Sequence, residues 1–139
     1  MIDHIGFDCT DFSRSRAFYE RALAPLGLNV VMEVARETSG GYEGCGFGQD
    51  GKPEFWIGSN VGPGSQPVPR SLHVAFRAAD RAAVDAFHAA ALAAGGMDNG
   101  RPGIRAHYHP NYYGAFVLDP DGHNIEAVCH RPEPARRDI

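Results

Sequence analysis

Residues 4–9 alternate between apolar and polar positions. Ile5, Phe7 and Cys9 share one face, His4 and Gly6 the other, which predicts a half-buried strand. The spacing then becomes helical, with Phe18, Ala22 and Leu26 recurring on one stripe beside Tyr19 and Leu23. Asp11 is placed as the N-cap and Gly27 as the stop. Leu28–Val34, Tyr42–Phe47 and Pro53–Ile57 read as three strands, with a turn at Gly40-Gly41 and a hairpin at Asp50-Gly51. The order is β-α-β-β-β.

The pattern then starts again. Residues 1–29 laid over 70–98 without gaps agree at nine positions. His4/His73, Phe7/Phe76, Asp11/Asp80, Phe18/Phe87, Leu23/Leu92 and Gly27/Gly96 carry the match, since the other three are alanines in an alanine-rich chain. In the second copy Leu72, Val74 and Phe76 oppose His73 and Ala75. A helix is expected from about Asp80 to Ala94, a weak strand at Ile104–His109 and a clearer one at Tyr113–Leu118. Asp119-Pro120-Asp121-Gly122 forms a turn, and a last strand runs from Asn124 to His130 with Ile125, Ala127 and Cys129 on one face and Glu126 on the other. The expectation is one α+β domain over 1–139: modules at 1–59 and 71–130, a Gly/Pro/Ser-rich connector at 60–70 and a surface tail at 131–139.

Composition narrows the setting. A chain of 139 residues with 43% hydrophobic and 22% charged positions suits one packed domain. A net charge of −4 argues against a broad nucleic-acid surface. No apolar run approaches the ~20 residues that span a bilayer, and the opening residues carry no secretory pattern. Three scattered cysteines, Cys9, Cys45 and Cys129, read as buried reduced thiols in a cytoplasmic protein.

Chemistry follows from face and position. His4 and His73 are repeat equivalents on the strand faces turned from the helices, and Glu126 lies on the matching face of the last strand. If both sheets curl around one cup, two imidazoles and a carboxylate meet there and form a divalent-metal site with open positions. Farther along, His107, His109, Tyr112 and Tyr113 crowd the approach to the last two strands. A histidine there is suited to general base work and a tyrosine to holding an oxyanion. Arg105 is a candidate for a substrate carboxylate, and Trp56 for stacking on a planar ligand. His88, mid-helix among alanines, and His123, after a turn glycine, are expected in solvent. The alanine-rich helix is also suited to a close subunit contact.

The opening MIDHIGFDCTDFSRSRAFYERALAPLGL, the central SLHVAFRAADRAAVDAFHAAALAAGG and the closing LDPDGHNIEAVCH together resemble the vicinal oxygen chelate superfamily of glyoxalases, bleomycin-resistance proteins and extradiol dioxygenases. The resemblance implies paired βαβββ modules with curved mixed sheets around a concave site. It implies His4, His73 and Glu126 as ligands of a divalent ion (Zn, Ni, Mn or Fe(II)) and a small substrate with adjacent oxygens, in a glyoxalase-like lyase or isomerase. The alternatives are a ring-cleaving dioxygenase, with His107 or His109 near its catalytic histidine, and a metal-free antibiotic or small-molecule binder. Superfamily members pair their modules within one chain or across a homodimer. Many carry a fourth ligand on the last strand of the first module. Here that strand reads PEFWIGS, and alignment puts Trp56 or Phe55 opposite Glu126, with Glu54 reached only in a shifted register. That departs from glyoxalase I and is closer to a 2-His-1-carboxylate site.

Overall fold

The computed structural model describes residues 1–60 and 72–135, so the connector and the end of the tail lie outside the described residues. The first half contains β1 (Ile5–Asp8), α1 (Phe12–Leu23), a 3-10 turn (Ala24–Leu26), β2 (Asn29–Val34), the one-turn α2 (Arg36–Ser39), β3 (Tyr42–Gln49) and β4 (Lys52–Asn60). The second contains β5 (His73–Arg77), α3 (Arg81–Ala93), β6 (Met97–Ile104), β7 (Tyr113–Leu118) and β8 (Asn124–Cys129). Each half makes an open, four-stranded mixed sheet, in the orders β1-β4-β3-β2 and β5-β8-β7-β6. β1 runs parallel to β4 and β5 to β8, and the remaining pairs are antiparallel.

The same local chemistry starts both long helices. Asp11 and Asp80 are extended N-caps whose carboxylates accept the backbone N–H of Arg14 and Ala83, three residues on. The buried face of α3 (Val84, Phe87, His88, Ala91) repeats Ser15, Phe18, Tyr19 and Ala22 of α1. At Asp50-Gly51 both residues have positive φ, 52° and 76°, the twist that a tight hairpin between β3 and β4 requires.

Both helices pack into one core shared by the two sheets. Phe55 of β4 meets Phe76 of β5 at 5.1 Å in an edge-to-face contact. Tyr19 of α1 donates to Asp119 Oδ2 at 2.6 Å, and Asp119 Oδ1 accepts the backbone N–H groups of Asp121 and His123. The turn between β7 and β8 is thereby fastened to the first helix. The sheet faces carrying Phe55, Ile57, Ile125 and Ala127 line this core, so those carrying His4 and His73 turn away from it.

Three sequence expectations need correction. The strand expected at Ile104–His109 lies earlier, at Met97–Ile104, and residues 105–112 form turns. Its Gly, Pro and polar letters hide it because β6 is an edge strand with register shifts around Gly100 and Pro102. His88 is buried, with Nε2 2.9 Å from Asp98 Oδ1. His123 is fully buried, its ring 4.7 Å from that of Phe7, and neither ring nitrogen has a partner among the described residues.

Candidate functional site

The outward face of the second sheet brings together His73, Glu126 and Tyr112. β5 and β8 pair so that His73 lies beside Asn124 and Ala75 beside Glu126, while β7 sets Phe116 across from Glu126. Nδ1 of His73 is 2.9 Å from the Asn124 carbonyl oxygen. A carbonyl only accepts, so the ring proton sits on Nδ1 and the Nε2 lone pair points outward. That Nε2 is 3.2 Å from Glu126 Oε1. Two acceptors so close require a proton or a cation between them.

Glu126 is 2% exposed, and its other oxygen, Oε2, accepts the Tyr112 hydroxyl. Burial first, then this hydrogen bond, pushes the Tyr112 hydroxyl well above its ordinary range, so it stays a donor. The His73 ring stacks at 6.3 Å on Phe116, whose other neighbour is the Arg105 guanidinium at 5.4 Å. Arg105 is held there by donating to the carbonyls of Gly103 and Arg101. His73, Glu126, Tyr112, Phe116, Tyr108, His109, Asn124 and His130 line a pocket of about 540 Å³. Nδ1 of His109 accepts the Asn111 backbone N–H at 3.0 Å, which puts the neutral ring's proton on Nε2.

The other expected residues stand apart. His4 is exposed just before β1, where Nδ1 donates to Asp3 Oδ1 at 2.7 Å and Nε2 has no partner among the described residues. Hydrogen bonds from His4, then Lys52, hold the Asp3 carboxyl below its ordinary range. Among the described residues no three His, Cys, Asp or Glu side chains gather closely enough to hold a metal. The expected meeting of His4 with His73 and Glu126 in one cup therefore does not occur within this chain, because the shared helical core lies on the inner side of both sheets.

Trp56 is on the outward face of the first sheet. Ile5 pairs with Phe55 as Val74 pairs with Ile125, so Trp56 holds the position equivalent to Glu126. Glu54 is exposed, with no partner among the described residues. Tyr113 turns to the helix side and donates to Asp85 of α3, with burial raising its hydroxyl to about 12. The His107 ring lies 4.1 Å from that of Tyr108, tilted by 46°, outside the pocket lining. Sequence reasoning missed His130, whose ring is 5.2 Å from Tyr112, and Phe116, whose alternation with Val117 on β7 was a usable signal. A larger cleft of about 820 Å³ opens between the sheets, lined by Leu26, Phe47, Phe55, Val74 and Phe76 among others. Glu54, Arg77, His130 and Arg131 also line it, but His73 and Glu126 do not, so the paired imidazole and carboxylate belong to the smaller pocket.

The fold agrees with comparisons to known proteins. The model of the Glyoxalase/Bleomycin resistance protein/Dioxygenase superfamily matches residues 1–127, and the chain belongs to that superfamily. It is similar to a glyoxalase/bleomycin resistance protein from Albidiferax ferrireducens T118, at 28% identity and a TM-score of 0.67, covering 94% of this chain and 98% of that one. A superfamily enzyme from Burkholderia phytofirmans PsJN shares the fold at 22% identity and a TM-score of 0.63, with 94% and 98% covered. Glyoxalase I from Zea mays does so at 21% identity and a TM-score of 0.68, over 92% of this chain but only 45% of that one. No curated protein matches the chain.

Proposed function

We propose that this protein is a metal-dependent enzyme that binds two neighbouring oxygens of a small substrate and runs lyase- or isomerase-type chemistry. The observation that carries the reading is the state of its two repeat-related histidines. His73 and His4 each donate Nδ1–H to an oxygen, the arrangement that orients metal-binding imidazoles, and His73 Nε2 faces the Glu126 carboxylate. The spacing of His73 and Glu126 suits one ion as well. With bonds of about 2.1 Å, two donors on one ion lie about 3.0 Å apart at a right angle and about 3.4 Å apart at a tetrahedral angle. The observed 3.2 Å falls between.

His73 and Glu126 would hold the ion from one subunit and His4 from a second copy, since His4 lies outside the reach of the other two within a chain. A bound divalent ion supplies Lewis acidity toward the substrate's paired oxygens. The remaining steps belong to the side chains. His109, which lines the pocket and carries its neutral-ring proton on Nε2, would exchange that proton with the substrate. Phe116 and Arg105 wall one side of His73. Trp56, brought by the second copy with His4, would face the substrate at the strand position where a fourth ligand is expected in glyoxalase I. That replacement supports a second reading, ring-cleaving dioxygenation at a 2-His-1-carboxylate ion.

The test is metal analysis of untagged protein reconstituted anaerobically with Fe(II), Mn(II), Ni(II) and Zn(II). About one ion per chain is expected, lost in His4→Ala and in Glu126→Gln. O₂ uptake with a catechol separates the two readings. No retained metal under any condition overturns both and leaves a small-molecule binding protein.

A further inference from the structure

We propose that Tyr112 is a positioning residue that confines Glu126 to one coordinating oxygen, keeping the neighbouring coordination position open for the second oxygen of a chelating substrate. The inference rests on the metal reading above and concerns how that site keeps its vacancy.

A carboxylate can grip a cation with one oxygen or with both, and a bidentate grip fills a position the substrate needs. In Glu126 the two oxygens are already distinguished. Oε1 faces His73 Nε2, where these two residues would hold an ion, and Oε2 accepts the Tyr112 hydroxyl. With Glu126 2% exposed, solvent is a poor substitute for that donor.

Tyr112 is itself fixed. Its N–H donates to the His109 carbonyl at 3.1 Å, its carbonyl accepts from Arg105 N–H at 2.7 Å, and its ring lies 5.0 Å from Tyr108 and 5.2 Å from His130. A second feature makes room for the pair. Gly114 lies under both groups, and a Cβ there would come within 3.2 Å of Glu126 Oε2 and of Tyr112 Cε1. The strand is bare where hydroxyl and carboxylate meet.

The experiment uses protein loaded with Co(II), read by visible absorption, and acetohydroxamate as a probe with two adjacent oxygens. In Tyr112→Phe, Glu126 is released to coordinate through both oxygens. The Co(II) bands should weaken, as they do at higher coordination number, and acetohydroxamate affinity should fall about tenfold while Co(II) is retained, the scale expected for groups that support a metal ligand. Gly114→Ala keeps the hydroxyl but sets a Cβ 3.2 Å from both Glu126 Oε2 and Tyr112 Cε1, so the pair must shift by a few tenths of an ångström, and spectrum and affinity should move the same way, more weakly, even if the Phe variant folds poorly. An unchanged spectrum and unchanged probe affinity in both variants, with or without a loss of thermal stability, would overturn the proposal. Failure of the wild-type protein to take up Co(II) would instead remove the metal reading, and this inference with it.

Discussion

Trp56 stands where Glu126 stands in the other sheet, and the surrounding backbone is cut to fit it. A Cβ at Gly46 would lie 2.8 Å and 2.9 Å from the indole ring and 2.7 Å from Pro53, and one at Gly6 2.9 Å from the Trp56 Cβ. Gly46→Ala should therefore destabilise the protein by about 1–3 kcal/mol through overpacking. Because Trp56 is the sole tryptophan, its emission maximum should shift in the same variant, and urea titration followed by fluorescence reads both. The cysteines support a prediction in pH. Burial pushes the thiol of Cys9 up to about 11 and that of Cys45 up to about 12, from an ordinary 9.0. A raised folded-state pKa contributes nothing adverse below pH 9, where both states keep their protons. As pH rises from 9 toward 11 and 12 the unfolded thiols ionise first, and each can cost up to about tenfold in the folding constant per pH unit. Urea midpoints should fall over that range, less steeply in Cys45→Ala. At this scale the sequence was only partly legible. His88 was misread as exposed, although its repeat partner Tyr19 lies on a plainly apolar helix face. Burial of His123 follows from Phe7 reaching across from the other module, which no local pattern contains.

At the scale of elements, the repeat foretells what is strictly local. Asp11 and Asp80 cap equivalent helices through equivalent bonds of 3.1 and 2.8 Å. Asp11→Ala and Asp80→Ala should each cost about 1 kcal/mol by thermal or urea unfolding, the ordinary worth of such a cap. The correspondence weakens where tertiary contact decides. Leu23 is fully buried while Leu92, its sequence equivalent, is 37% exposed. The positive φ that ends the second helix belongs to Gly95 and not to Gly96, which is instead pressed against Val117 and Phe18. β6 shows the same limit. Its pairing with β7 is bulged and it ends the sheet, with no further strand beside it among the described residues, so neither alternation nor β-branched residues were needed to form it. The three strands with clear alternation, β1, β5 and β8, carry or adjoin His4, His73 and Glu126, and the outward placement of these three residues was legible for that reason.

At the scale of the whole molecule, the helices decide what one chain can do. The sequence placed three candidate ligands on matching faces but held nothing to say which side of each sheet would be buried. α1 and α3 pack together in the common core, Arg21 of the first donating to the Ala93 carbonyl of the second. Each sheet's candidate face is thereby left outward and half-equipped, with His4 on one, and His73 and Glu126 on the other. If a second copy completes each site, damage on the two sheets must complement. A His4→Ala chain keeps an intact second sheet, and a Glu126→Gln chain an intact first sheet. Neither variant alone should bind metal. Mixed after partial unfolding and refolding, half of the dimers formed at random would carry both chains, each with one intact and one doubly damaged site, so about a quarter of wild-type capacity should return. Equilibrium dialysis against Zn(II) measures it. Recovery requires sites shared between chains. Binding that stays at zero after demonstrated subunit exchange would mean that His4 and Glu126 act within one chain, in a closed arrangement that abandons the shared helical core.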